Sequence, residues 1–280
     1  MAGGDNQDQI DYWNGSTGEA WASHADALDA MLGGPSEALF SAAKLSAGER
    51  ALDIGCGPGG TAFPALERVS PGGAVVGLDV SRPLLAIARG RALAKTGDIA
   101  FEEGDAALWQ SHVPFDVAIS RFGIMFFEEP IPAFKNIHSL MKPDGRLAFI
   151  CWQSIKDNPW AIKPVEAIMP LLPEAPTPPP PGAPGPFAFD DPARVSDILT
   201  KSGWSSIDIA PWTGDIMLPG ADASETARFL LRVGPASRAI KDQEVDEDAA
   251  VDAMAAMIRA QQAGDNPHFG GAIWVVTAKA

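Results

Sequence analysis

Cysteine, histidine and tyrosine are scarce in this chain: two, four and one among 280 residues. Cys56 and Cys151 can make neither a disulfide framework nor a zinc site. They read as small packed thiols of a reducing compartment. Basic residues are also short, 21 Lys and Arg against 36 Asp and Glu, for a net charge of −15. With no run of five or more Lys or Arg to offset that charge, nucleic acid and anionic membrane surfaces are poor partners. No apolar run reaches the ~20 residues of a spanning helix, so stable membrane insertion is not expected. The opening MAGGDNQDQ is acidic and polar, unlike a signal or transit peptide. A cytoplasmic protein is expected. No acidic cluster has divalent-ion spacing, so no metal site is expected either.

What is present is a globular composition, 46% hydrophobic and 20% charged, on a chain long enough to bury a full core. It is organised around ALDIGCGPGG, residues 51–60, where an apolar run passes through Asp53 into a turn with Gly55, Gly57, Gly59 and Gly60. A helical stretch, 62–69, follows. Strand, glycine turn and helix bring bare backbone and a helix N-terminus against a ligand. Gly55, Gly57 and Gly60 also satisfy the dinucleotide pattern G-x-G-x-x-G, so spacing alone leaves an NAD(P)-dependent oxidoreductase open.

Before this unit, residues 1–10 read as disordered. Ser16 with Glu19 reads as a capping box for a helix that Gly33-Gly34 stops, and a second helix is expected over 37–45. After it come a strand at 74–79 ending in Asp79, a helix at 83–95, and a strand at 99–106 delivering Asp105. A strand at 116–120 ending at Ser120, a helix at 131–141 and a strand at 146–152 ending at Trp152 follow. This βα alternation implies a parallel sheet with ligands at the strands' C-terminal edge. Asp53, Asp79, Asp105 and Ser120 all fall on that edge. Beyond Trp152 the alternation stops. Residues 173–187 are too proline-rich for helix or strand and read as an extended surface connector. A helix at 190–202, a strand interrupted by Pro211, helices at 223–233 and 244–262, and a last strand at 271–280 complete the chain.

The segments LDIGCGPGG, VVGLDVS, EEGDA, FDVAISRFGIMFF and MKPDGRLAFICW, in this order, resemble the class I S-adenosylmethionine-dependent methyltransferases. The resemblance is strong over 48–152. It is weaker over 188–280, where DPARVSDILTKSGW and AIWVVTA are similar to the ubiquinone-type and small-molecule branch. It implies an α/β, doubly wound Rossmann-like fold with a seven-stranded sheet, the last strand antiparallel, and helical cap or lid additions. The expected organisation is a helical lid over 1–47, the cofactor-binding core over 48–153, an insert with a helix over 154–206, and strands with cap helices over 207–280. S-adenosylmethionine is the implied cofactor and S-adenosylhomocysteine the product. Asp53, Gly55, Cys56 and Gly57 would lie along the methionine part, and Asp79 would bind the ribose hydroxyls. Val80 and Ala106 would lie beside the adenine, Asp105 would accept from its amino group, and Ser120 would sit near the sulfonium. Independently, Asp53 just before the turn suits an ammonium better than a pyrophosphate.

Methyl transfer from a sulfonium is an in-line displacement that needs positioning and water exclusion, and a base only for some acceptors. His24 and Tyr12, in the N-terminal segment, rank first as bases; His112, His138 and His268 read as surface or packed residues. Arg121 could pair with an acceptor carboxylate or phenolate, with a salt bridge to a neighbouring acid as the equal alternative. Phe122 and Trp152 would flank the acceptor, and Trp13 and Trp21 would come from the lid. A small organic acceptor is expected. A quinone or lipid head group at a membrane, a cofactor-binding protein without catalysis, and a homodimer stay open.

Overall fold

The computed structural model describes residues 6–177, 179–243, 245–261 and 268–280. Four helices open the chain: α1 (Gln7–Asn14), α2 (Ser16–Ser23), α3 (Ala25–Met31) and α4 (Gly33–Ala43). The alternating part is β1 (Arg50–Ile54), α5 (Ala62–Val69), β2 (Ala74–Asp79), α6 (Arg82–Ala92), β3 (Asp98–Glu103), β4 (Phe115–Arg121), α7 (Pro130–Ser139) and β5 (Met141–Trp152). The remainder is α8 (Pro159–Ile168), α9 (Pro192–Lys201), β6 (Ser205–Met217), α10 (Ala223–Val233), α11 (Pro235–Gln243), α12 (Glu247–Gln261) and β7 (His268–Lys279).

The strands form one seven-stranded sheet in the order β3-β2-β1-β4-β5-β7-β6. β1 to β5 are mutually parallel, and β7 runs antiparallel between β5 and β6. This is the doubly wound sheet with an antiparallel last strand. Its central strands read as near-continuous apolar runs because helices cover both faces. The order reverses at β1, which lies between β2 and β4, and a ligand crevice opens outside the strand ends at such a point. Phe115, Phe134, Phe149 and Phe189 fill the centre of the core, and α4 adds Leu39, Phe40 and Ala43 to it. Among the described residues, no helix is long and apolar enough to cross a membrane.

Several local expectations are corrected. Residues 7–14 are helical rather than disordered, while residues 1–5 lie outside the described residues. The capping box does not form: Gly15 is the N-cap of α2, and Ser16 already lies inside it. Gly33-Gly34 starts α4 rather than stopping a helix, and a Cβ on Gly34 would lie 3.4 Å from the Trp212 ring. A small residue there lets α4 approach β6. β6 runs unbroken through Pro211, which pairs with Trp274, because an edge strand needs no outward N–H. β5 begins at Met141, so the KPDG turn is a register shift inside the strand, with Asp144 at φ 63°. The helix expected at 244–262 is α12, and a further helix that was not expected, α11, precedes it; Glu244 and Gln262 lie outside the described residues, as does Pro178 of the connector. The connector is tied to the core, since the Gly185 N–H donates to the Met125 carbonyl at 3.1 Å.

Candidate active site

Asp53, buried completely, is the penultimate residue of β1, and after Ile54 the chain turns across the end of β2. The N–H groups of Gly55 and Cys56 donate to the Leu78 carbonyl at 2.8 and 3.2 Å. Gly55 has φ +67°, and a Cβ on it would lie 2.7 Å from the Cα of Gly123. The turn after β1 thus rests directly on the turn after β4, which only glycine permits on both sides. The Gly57 N–H donates to Asp79 Oδ2 at 2.7 Å, and the Ser81 N–H to Asp79 Oδ1 at 2.8 Å. Ser120, also buried, donates to the Ile54 carbonyl at 2.7 Å. Asp53, Gly55, Cys56, Gly57, Asp79, Val80 and Ser120 are therefore gathered at the C-terminal ends of β1, β2 and β4.

The acids there are unusual. Asp53 Oδ2 accepts from the Thr61 hydroxyl at 2.6 Å, but its Oδ1 is buried with no hydrogen-bond partner. Burial pushes the Asp53 carboxyl up to about 7, against the Thr61 bond and the Arg121 charge, which favour ionisation. Burial also raises Asp79, with the N–H groups of Ser81, Gly57 and Val80 opposing it. Burial holds the thiols of Cys56 and Cys151 well above their usual range, which makes both poor nucleophiles.

The remaining candidates lie around this centre. Asp105 is just past β3 and accepts the Ala107 N–H at 2.9 Å, with Ala106 buried beside it. Phe122 follows β4 at φ 66°, uncommon for a residue with a side chain, and its ring stacks on Trp152 at 4.2 Å. Trp152 in turn meets Trp160 at 4.7 Å, so both partners of the stack belong to the core. Trp13 packs edge-on to Trp21 and Phe126, and half-exposed Tyr12 leans on Trp13. His24 sits between α2 and α3; its Nδ1 lies 2.8 Å from the Ala20 carbonyl, and its ring touches Phe229 of α10. Among the described residues, His24 and Tyr12 share no hydrogen bond or ring contact. Arg121, nearly buried, pairs with Asp29 at 2.8 Å and donates to Ser36 at 3.0 Å. No group of three or more His, Cys, Asp or Glu suited to a metal ion is found among the described residues.

Three contributors escape a reading of the sequence. Asn14 donates to the Val80 carbonyl at 2.8 Å and accepts from the Arg82 N–H at 3.0 Å, bridging α1 to the end of β2. Ser81 adds a bond to the Trp13 carbonyl at 2.8 Å. Asp29 binds Arg121 and Arg91 together. Asn14 precedes Gly15 and so looks like an ordinary turn residue. Thr61 had a signal, a threonine at a helix N-cap, but its hydroxyl serves Asp53 instead of the helix.

The sheet order, with β7 antiparallel between β5 and β6, is a fold this chain shares with methyltransferases of known structure. Residues 51–145 match the family described as Methyltransferase domain. Over 185 residues the chain is 30% identical to a nocamycin O-methyltransferase from Saccharothrix syringae, covering 61% of this chain and 65% of that one. A demethylmenaquinone methyltransferase from Thermus thermophilus is 37% identical over 103 residues, 36% of this chain and 46% of that one. The chain thus spans between about half and two thirds of these relatives. A phosphoethanolamine N-methyltransferase from Haemonchus contortus, solved with S-adenosyl-L-methionine, superposes with a TM-score of 0.58 at 19% identity, covering 99% of this chain and 60% of that one. A cyclase superposes with a TM-score of 0.51 at 19% identity, over 92% of this chain and 93% of that one, so the fold alone does not fix a reaction.

Proposed function

We propose that this chain is an S-adenosylmethionine-dependent methyltransferase that moves a methyl group to an O, N or C atom of a small organic acceptor. The observation that carries this is the unpartnered, fully buried Oδ1 of Asp53 beside a glycine turn, within a segment of the methyltransferase family. An orphaned carboxylate oxygen in a dry site is costly unless a cation completes it. The α-ammonium of the cofactor's methionine part is such a cation, whereas a dinucleotide pyrophosphate would place like charges together. Each oxygen of Asp79 takes one backbone N–H and keeps lone-pair capacity for a ribose hydroxyl. Val80 and Ala106 would line the adenine and Asp105 would accept from its amino group.

The bound cofactor would supply an electrophilic methyl on a sulfonium, leaving as S-adenosylhomocysteine. The protein's part is to aim and to exclude water. Trp13, Trp21 and Phe126 would cover the crevice from the α1–α2 side. Phe122 and Trp152, buried against each other at the ends of β4 and β5, would support the site from the core rather than face the acceptor. His24, ringed by Ala20, Ser23 and Phe229, donates its Nδ1–H to the Ala20 carbonyl, which leaves Nε2 as the nitrogen that would serve as base, and Tyr12 is the more accessible of the two. The two buried free thiols support a cytoplasmic setting.

A quinol-type acceptor is the second reading, favoured by the demethylmenaquinone methyltransferase relatives. Calorimetry with S-adenosylhomocysteine, against a nicotinamide dinucleotide control, tests the cofactor. Label transfer from S-adenosylmethionine to a panel of phenols, carboxylates, amines and naphthoquinols then tests catalysis and acceptor class. Binding of the dinucleotide alone would sink the proposal; cofactor binding with no transfer across the panel would favour a binding protein. Activity is expected to survive chelation.

A further inference from the structure

The Arg121 guanidinium lies where the glycine turn enters α5. A Cβ on Gly60 would lie 2.7 Å from its Nη2 and 1.8 Å from Asp29 Oδ1, so both groups press on that backbone. Thr61, the next residue, holds Asp53. The crevice therefore places an acid with a spare oxygen, Asp53, close to a nearly buried cation, Arg121, which is the pairing that an α-amino-acid zwitterion needs. Arg121 is already engaged, by Asp29 of α3. Asp29 has a second partner: its Oδ2 accepts from Arg91 at 3.0 Å, and Arg91 also holds Asp26 and donates to the Pro58 carbonyl at 2.9 Å. Asp29 can give up Arg121 without becoming an unpaired acid, whereas Arg121 cannot lose Asp29 without a replacement anion.

We infer that Arg121 is a carboxylate receptor and that Asp29 is an internal stand-in, competing for it with the carboxylate of a bound ligand. This rests on the cofactor reading above. The carboxylate has two sources, the methionine part of the cofactor or an anionic acceptor. Chemistry favours the first, because ammonium and carboxylate then leave one carbon for Asp53 and Arg121. A simple clamp that held α3 over the crevice would use the same contacts, but it predicts the opposite sign when Asp29 is neutralised.

The test is calorimetry on the full chain with S-adenosylhomocysteine and with its analogue lacking the carboxylate. Wild-type protein that binds neither removes the methyltransferase reading and the exchange with it. Given wild-type binding, Asp29→Asn, nearly isosteric, should tighten S-adenosylhomocysteine by about threefold or more and leave the decarboxylated analogue unchanged. Arg121→Gln should weaken the first and not the second. Asp26→Asn, which loosens the Arg91 contact but leaves Arg121 alone, should change neither. If Asp29→Asn and Asp26→Asn both weaken binding, the pair is a clamp and the inference falls. If cofactor affinities do not move but the KM of a carboxylate-bearing acceptor drops in Asp29→Asn, the acceptor is the source of the carboxylate. If neither moves, the inference is wrong. Should Arg121→Gln fail to fold, the thermal shift of Asp29→Asn decides: a lower melting point without ligand and a larger rise with S-adenosylhomocysteine are expected.

Discussion

The two sides of the crevice are built differently. On the sheet side, the turn after β1 is locked by backbone: Gly55 and Cys56 bond to Leu78, Gly57 bonds to Asp79, and Gly55 rests on Gly123. On the helical side, α1 buries no residue at all, and α1 and α2 are attached by Asn14, by the Ser81 hydroxyl and by edge-on aromatic contacts. The attachment changes along the N-terminal segment itself, since α4 is part of the core while α1 is not. A wall made of buried backbone can hold a charged ligand in register. A wall made of a few polar bonds can open, because local unfolding costs only the contacts it breaks.

Glycine substitutions on the two walls separate them most sharply. Gly55→Ala would force the β1 and β4 turns apart and should cost about 3 kcal/mol of stability, seen as a large fall in melting temperature. Gly18→Ala places a Cβ 1.9 Å from the Trp13 carbonyl, so it should displace α1 while leaving the unliganded melting temperature nearly unchanged. Equal losses of stability would show that α1 and α2 belong to the core.

Removing residues 1–22 tests the same contrast by turnover. The protein should stay folded and lose about 100-fold in rate, roughly 2.7 kcal/mol, through water access and poorer cofactor affinity. Full turnover by the truncated protein would make the aromatic cover ornamental.

The sheet-side acid has its own signature in pH. Because burial raises Asp53 above its unfolded value, the folded protein holds a proton that the unfolded chain has released between about pH 4 and 7. Stability without ligand should therefore fall as pH rises through that window. A ligand ammonium needs the ionised form, so S-adenosylhomocysteine affinity should rise by about tenfold or more from pH 5.5 to 7.5, with proton release on binding. Asp53→Asn should bind weakly and without that slope; a slope that persists in this variant would assign the titration elsewhere.

Asn14→Ala carries the smallest expected effect. It removes the two hydrogen bonds that bridge α1 to the end of β2, together with one inside α1 to Ile10, and should weaken cofactor binding by about 1 kcal/mol, with little change in melting temperature. Faster amide exchange confined to residues 7–23 would locate the change.

Local pattern carried much of the fold. α5, β2 and α10 begin and end where periodicity and glycine or acidic punctuation predict, because each makes its hydrogen bonds within itself or to an adjacent apolar run. Asp53 and Asp79 were legible for a related reason: an acid that ends an apolar strand marks the edge of the sheet. Pro211 was misread because a strand's edge position is not a local property. The capping box was misread because Trp13, not Ser16, sets how the chain enters α2, with Gly18 pressed against the Trp13 carbonyl.

The sequence by itself determined the alternation, the glycine turn and the row of polar residues at the strand ends, since these depend on neighbours within a few positions. Tertiary structure alone decided which polar groups would be left wanting. That Asp53 keeps an oxygen without a partner, that Asn14 reaches the β2 end 66 residues away, and that Asp29 meets Arg121 across 92 residues follow from how helices seat on the sheet. Such contacts leave no local signal, because an Asn or Asp on a helix looks the same whether it faces water or a buried cation.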